Sequence, residues 1–154
     1  QEEAGKSWRY LLEWFRRFGG STNRLFVVDT SPFPDVDSAN QQKLVLRTKD
    51  ANAAFNAEAT QIVETICREE GLSYIFKDRY VEEANQQLIA QGEKPRSIGS
   101  TELGRIIASS NGLVDGSTIQ IPTTGYHTME ESASWDAVAA FIQVLSRLAT
   151  HTAL

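Results

Sequence analysis

The chain has 154 residues, of which 41% are hydrophobic and 23% are charged, and its formal net charge is −5 at pH 7. This length predicts one domain with a substantial core. The negative charge argues against a nucleic acid or an anionic membrane as the main partner, and no apolar run reaches the roughly 18 residues that a transmembrane helix needs. The single cysteine, Cys67, excludes an internal disulfide and fits a reducing, cytoplasmic compartment. It follows Ile66 on an apolar helical stripe, which predicts a buried thiol.

The first half of the chain alternates between helical and strand patterns. Apolar residues at helical spacing predict a helix over residues 6–18, which the glycine pair after it ends. The apolar run "RLFVVD" predicts a buried strand over 24–29 that stops at Asp29, and "KLVLR" predicts a second strand over 43–47. The segment "SPFPDVDS" between them is interpreted as a loop. Apolar residues at helical spacing predict a second helix over residues 53–70.

The second half continues the alternation. "SYIFKD" predicts a third strand over 73–78, whereas the polar segment 81–91 indicates a loop or a short helix. A glycine turn enters a short helix over 99–110, "STIQIP" predicts a fourth strand over 117–122, and the last helix covers about 133–149. This order predicts an α/β fold of three layers, with a mixed or mostly parallel sheet flanked by helices.

Polar residues gather where these predicted elements begin or end. Glu2 and Glu3 precede the first helix, Asp29 ends the first strand, "GSTE" covers 99–102, and "TTGYHT" covers 123–128 after the last strand. Taken singly, each has an ordinary structural interpretation, since acids cap helices, aspartates make turns and loop histidines lie at surfaces. If the strands run parallel, however, these ends meet on one edge of the sheet, where α/β proteins build their sites.

The residue types suit a hydrolytic metal site. Such a site needs carboxylate or imidazole ligands that leave a position open for water, and a separate carboxylate that takes the proton of that water. Adjacent glutamates can divide these two tasks. Carboxylate and imidazole ligands suit zinc, cobalt or manganese.

Four segments carry a family resemblance. In this order, "QEEAG", "RLFVVDTSPFPD", "GSTELG" and "IPTTGYHTMEES" resemble the site segments of the co-catalytic zinc aminopeptidases, above all the glutamyl and deblocking aminopeptidase family. Members of that family carry a Glu-Glu-x-Gly segment, a strand ending in Val-x-Asp, a Gly-Thr-Asp-like turn and a histidine in a loop after a strand. The resemblance covers the chain from its first residue to its last helix and implies a zinc-exopeptidase-like fold.

The resemblance also implies a set of site residues and cofactors. These are the general base Glu2, the metal ligands Glu3, Asp29 and His127, and the substrate-binding residues Thr101 and Glu102. Two divalent ions, zinc in that family, would lie about 3.5–4 Å apart, with Glu3 and His127 on one ion and Asp29 on the other. Glu2 would deprotonate the attacking water and later protonate the leaving amine. The implied activity is removal of N-terminal residues from peptides, by a protein that forms a homo-oligomer.

The chain departs from the family pattern in two places. Family members have a His-x-Asp segment and a bridging aspartate upstream of the paired glutamates, where this chain has no residues. The turn reads Gly-Ser-Thr-Glu instead of Gly-Thr-Asp. Because the first residue is not methionine, we expect residues 1–154 to be the C-terminal portion of one catalytic peptidase domain, inactive alone but belonging to an active parent protein.

Three alternatives stay open at this point. Related carboxypeptidases and deacylases insert a dimerisation domain before the last histidine, whereas the 98 positions from Asp29 to His127 are filled by predicted core elements, which disfavours that branch. The secreted and plasma-membrane-type aminopeptidases lack the insertion and are not separated by these motifs. A non-catalytic binding domain on the same fold is the third alternative.

Overall fold

The computed structural model describes residues 6–19 and 24–151, and within these ranges it contains six helices and four strands. In chain order the elements are α1 (Ser7–Phe18), β1 (Arg24–Pro32), α2 (Val36–Asn40), β2 (Leu44–Leu46), α3 (Ala57–Glu69), β3 (Tyr74–Phe76), α4 (Lys77–Ala90), α5 (Glu102–Ser110), β4 (Asp115–Thr123) and α6 (Trp135–Ala149). In the described ranges, no helix is both long enough and apolar enough to cross a membrane.

The elements agree with the sequence pattern to within three residues at each end, except at four places. Helical spacing predicts a helix from residue 53, whereas α3 begins at Ala57. β1 continues three residues past Asp29, so that the aspartate lies inside the strand and does not end it. The polar segment predicted as a loop or short helix belongs to the 14-residue helix α4, which begins directly after β3 and so shortens the predicted third strand. The short helix α2 was not predicted; the carboxylate of Asp35 starts it by accepting a hydrogen bond from the backbone N–H of Ser38 at 2.8 Å.

The four strands form one mixed sheet in the order β1-β4-β2-β3. β2 and β4 are antiparallel, and their register pairs Val45 with Gln120 and Leu46 with Ile119. β1 and β4 run in the same direction. Near their starts, the backbone of Leu25 lies against Gly116. Just past the end of β1, the N–H of Phe33 donates to the carbonyl of Thr123 at 2.8 Å. The carboxyl ends of β1 and β4 therefore lie at the same edge of the sheet.

The chain divides into two compact units, each with its own apolar cluster. The first unit comprises Gln1–Val27, Arg47–Thr60 and Phe76–Thr118. Its cluster forms where α1 packs against α5, because the buried side of α1 presents Phe15 to Ile106 and Val114. Trp8, Leu25 and Leu113 pack around these three side chains.

The second unit comprises Val28–Leu46, Gln61–Ile75 and Ile119–Leu154. Phe33, Ala39 and Val45 form its apolar cluster, and α6 packs against β2 through a stripe of buried apolar residues. Cys67 lies on α3 with none of its surface exposed, which confirms the predicted buried thiol. Burial raises the pKa of this thiol to about 11, so the protonated and unreactive form dominates near neutral pH.

Candidate functional site

Asp29 lies inside β1 and is held by its neighbours on β1 and β4. Its Oδ1 accepts a hydrogen bond from the backbone N–H of Thr30 at 2.7 Å. The side-chain amide of Gln120, on β4, donates to the carbonyl oxygen of Thr30 at 2.9 Å and reaches Oδ2 of Asp29 at 3.5 Å. Gln120 is almost fully buried, whereas Asp29 stays half-buried.

His127 lies in the loop that joins β4 to α6, and the backbone of this loop is constrained. The loop is closed at its base by paired backbone hydrogen bonds between Thr124 and Ser132, both 3.0 Å long. Gly125 has a φ of 69°, and a Cβ there would come within 2.8 Å of the carbonyl oxygen of Glu130, so only glycine fits. His127 itself has a φ of 60°, a left-handed conformation that is uncommon for residues other than glycine and that clusters at functional sites.

The carboxylate of Glu131 connects the His127 loop to the two strands. It accepts hydrogen bonds from the hydroxyl of Thr123 at 2.9 Å and from the backbone N–H of His127 at 3.3 Å, and it also bonds the side chain of Thr30. Desolvation raises the pKa of Glu131, but the hydrogen bonds from Thr123, Thr30 and His127 outweigh it, so the pKa is lowered from its usual value.

The sequence analysis did not single out Glu131. In "HTMEES" it is the second of two adjacent glutamates, and nothing in the local pattern separates it from Glu130. Through Glu131, the structure links the segment of Asp29 with the segment of His127, two predicted site residues that are 98 positions apart.

Thr101 begins α5 and is engaged in two hydrogen bonds through its hydroxyl. Its Oγ1 accepts from the backbone N–H of Gly104 at 3.1 Å and donates to the carboxylate of Asp50 at 2.9 Å, and its own N–H donates to the same carboxylate at 2.7 Å. The side chain is 4% exposed. This geometry gives Thr101 a structural role at the start of α5, and its role in substrate binding stays a prediction.

Glu102 follows on the first turn of α5. Its Oε1 accepts a hydrogen bond from the hydroxyl of Ser7, the first residue of α1, at 2.7 Å. Its Oε2 is buried and has no hydrogen-bond partner in the part of the chain that the structure describes. An unpaired buried carboxylate oxygen is energetically costly.

The donor chemistry of Asp29 and His127 fits a divalent metal ion. A half-buried carboxylate and an exposed imidazole are ligands that zinc accepts in proteins. Glu2 and Glu3 lie outside the described residues, so the set of Glu3, Asp29 and His127 stays a prediction. Among residues 6–19 and 24–151, no group of three or more histidine, cysteine, aspartate or glutamate side chains could hold a metal ion.

Comparisons with known proteins reveal similarity in fold. No family model matches the sequence, and no curated protein matches it. The structure is similar to that of PhTET1-12s, described as a dodecamer in the asymmetric unit, with a TM-score of 0.61 and 12% sequence identity over 94% of this chain. The chain spans 37% of the length of that neighbour. At this identity the similarity concerns the fold alone, and it confirms the predicted fold class: an α/β fold with a mixed sheet flanked by helices.

Proposed function

We propose that the protein containing this chain is a metal-dependent aminopeptidase, which removes N-terminal residues from peptides. One observation carries the proposal. Thr30, the residue after Asp29 in β1, bonds the carboxylate of Glu131, which also accepts the N–H of His127; Glu131 therefore joins the two segments near the carboxyl ends of the parallel strands β1 and β4. Ligand sites of α/β folds form outside such strand ends. The fold similarity to PhTET1-12s supports the same zinc-exopeptidase-like framework.

In this proposal Glu3, Asp29 and His127 hold two divalent ions, for which zinc is the first choice and cobalt and manganese are alternatives. Bound ions of this kind polarise the scissile carbonyl and lower the pKa of water toward about 7. Glu2 takes the proton of the attacking water and returns it to the leaving amine. Glu102 accepts the α-ammonium of the peptide, and Thr101 holds the start of α5, the helix on which Glu102 lies.

The test uses full-length protein loaded with zinc and a short peptide with a free N-terminus. Glu2→Gln is expected to keep the metal stoichiometry and lose about 10²–10⁴-fold in kcat, which is the usual contribution of a general base. Glu13→Gln, which changes an exposed acid of α1, is the matched control and should retain full activity. Undiminished hydrolysis by the Glu2 variant would remove Glu2 from the mechanism.

A second variant tests the metal ligands separately from the base. His127→Ala is expected to weaken metal binding, measured by competition with a chromophoric chelator. If both the stoichiometry and the affinity stay at wild-type values, His127 is not a ligand and the proposed site is wrong.

The choice of substrate distinguishes the alternatives. Cleavage of N-acylated or C-terminal substrates in place of free-amine peptides would indicate the related deacylase or carboxypeptidase activity. Absence of hydrolysis from the whole panel, with metal bound, would indicate a non-catalytic domain. A homo-oligomer in the cytoplasm is part of the proposal, supported by the dodecamer of PhTET1-12s and by the single buried thiol; light scattering of the full-length protein tests the assembly.

A further inference from the structure

The His127 loop holds its histidine in a conformation that the loop sequence does not favour by itself. A residue other than glycine in the left-handed region costs on the order of 1–3 kcal/mol and persists where surrounding contacts determine it. The backbone pairing of Thr124 with Ser132 fixes the base of the loop. Toward its tip the side chains are open to solvent, and Met129 is fully exposed. The N–H and the hydroxyl of Thr128 both donate to the carbonyl oxygen of Gly125, at 3.0 and 2.6 Å, so His127 lies inside a local turn. Contacts from outside this turn are needed to hold it against the sheet.

Glu131 provides such a contact, because Oε2 accepts the N–H of His127 at 3.3 Å while Oε1 accepts the hydroxyl of Thr123 at 2.9 Å. Thr123 is 3% exposed and is the last residue of β4, so the carboxylate is anchored to the sheet. The bond to Thr30 extends the same connection to β1, at the residue next to Asp29.

We propose that Glu131 is a positioning residue, which sets the backbone of His127 relative to Asp29 by joining the loop to β1 and β4. This inference rests on the proposed function, in which Asp29 and His127 are metal ligands. It explains how the positions of these two residues are fixed relative to each other. Glu131 is not one of the predicted ligands, and both of its oxygens accept hydrogen bonds from donors of the protein.

The first test needs neither metal nor substrate. Backbone amide exchange of His127 is measured by NMR on the metal-free chain for wild type, Glu131→Gln and Glu130→Gln. The glutamine replaces one acceptor oxygen by an N–H₂ group, so one protein donor loses its acceptor. The His127 amide is expected to exchange about tenfold faster in Glu131→Gln, with the Tm of the protein within about 2 °C of wild type. Glu130→Gln alters the neighbouring exposed glutamate and should leave the exchange unchanged.

Thr123→Val provides a second variant that keeps the carboxylate and removes one of its anchors. It is expected to accelerate exchange of the His127 amide by a smaller factor than Glu131→Gln. Wild-type exchange in both Glu131→Gln and Thr123→Val would overturn the positioning role. An equal acceleration in Glu130→Gln would also overturn it, because the effect would then belong to the loop in general.

The second test measures zinc affinity of the full-length protein, with the visible spectrum of the cobalt-substituted protein as a signature of ligand geometry. Removing a residue that orients a metal ligand typically costs 10–100-fold in affinity, and this loss is expected for Glu131→Gln but not for Glu130→Gln. If wild type binds no metal while the exchange result holds, the proposed function fails and the positioning of His127 stands. If wild type binds metal and Glu131→Gln matches it in affinity, spectrum and amide exchange, the positioning role fails alone.

Discussion

Thr101→Val and Thr118→Val each remove one buried hydroxyl with little change in shape. Thr101→Val is expected to destabilise the protein, whereas Thr118→Val is expected to leave its stability unchanged or to raise it slightly. Thr101 is 4% exposed and its hydroxyl both caps α5 and donates to the carboxylate of Asp50. Thr118 is fully buried on β4, and its hydroxyl has no hydrogen-bond partner within the described ranges. The difference between the two variants therefore separates the contribution of the hydrogen bonds to the free energy of unfolding from the contribution of packing.

The magnitude follows from the two bonds that Thr101 loses. Loss of an N-cap costs about 1 kcal/mol, and loss of a hydrogen bond to a buried charged group costs about 1.5–3 kcal/mol. The backbone N–H groups of Thr101, Asn52 and Ala53 still reach Asp50, so we expect a total near 3 kcal/mol. At position 118 the valine removes an unpaired polar atom, and its effect is expected to lie between zero and about 1 kcal/mol of stabilisation.

Urea unfolding followed by circular dichroism measures both changes. With an m-value of about 2 kcal/mol/M, the midpoint should fall by about 1.5 M for Thr101→Val and should stay or rise slightly for Thr118→Val. Equal midpoints for the two variants would refute the structural role of Thr101. In that case the predicted role of the hydroxyl in substrate binding would be tested by the KM of the full-length Thr101→Val protein.

Three further outcomes are expected from buried groups. Gly104→Ala should lower the free energy of unfolding by about 2–3 kcal/mol in the same urea assay, because a Cβ there would overlap the carboxylate of Asp50; a shift below about 0.5 kcal/mol would contradict this packing. The thiol of Cys67 should resist a disulfide reagent at pH 8 until urea unfolds the protein, and fast labelling of the native state would show that it is accessible. Burial and the nearby Arg47 lower the pKa of Lys77 to about 8, below that of the unfolded chain. The unfolded state therefore binds more protons between about pH 8 and pH 10.5, so Lys77 should make stability rise with pH in this window; the same slope in Lys77→Met would rule out this source.

The sequence predicts elements best where one side of the element is buried. α1 and α6 place apolar residues at helical spacing against the core, and their predicted bounds agree with the structure to within two residues. α4 has a mostly polar surface with few buried residues, among them Val81, so its hydrophobic period was too weak to indicate a 14-residue helix. The predicted first strand ends at Asp29, three residues before the end of β1, because acids are rare inside strands and so indicate a strand end.

Local pattern by itself determined the α/β class, the buried thiol and most of the elements, since each depends on residues a few positions apart. Tertiary structure decided which polar groups meet. The pairing of Thr101 with Asp50 joins residues 51 positions apart, and the connection from Thr30 through Glu131 to His127 needs β1 and β4 to lie side by side in parallel. A carboxylate forms hydrogen bonds with the donors that the fold brings within about 3 Å of it, and these donors cannot be read from the sequence around Glu131. The candidate residues Asp29 and His127 could therefore be chosen from sequence motifs, whereas the residue that ties their segments together became visible only in the folded chain.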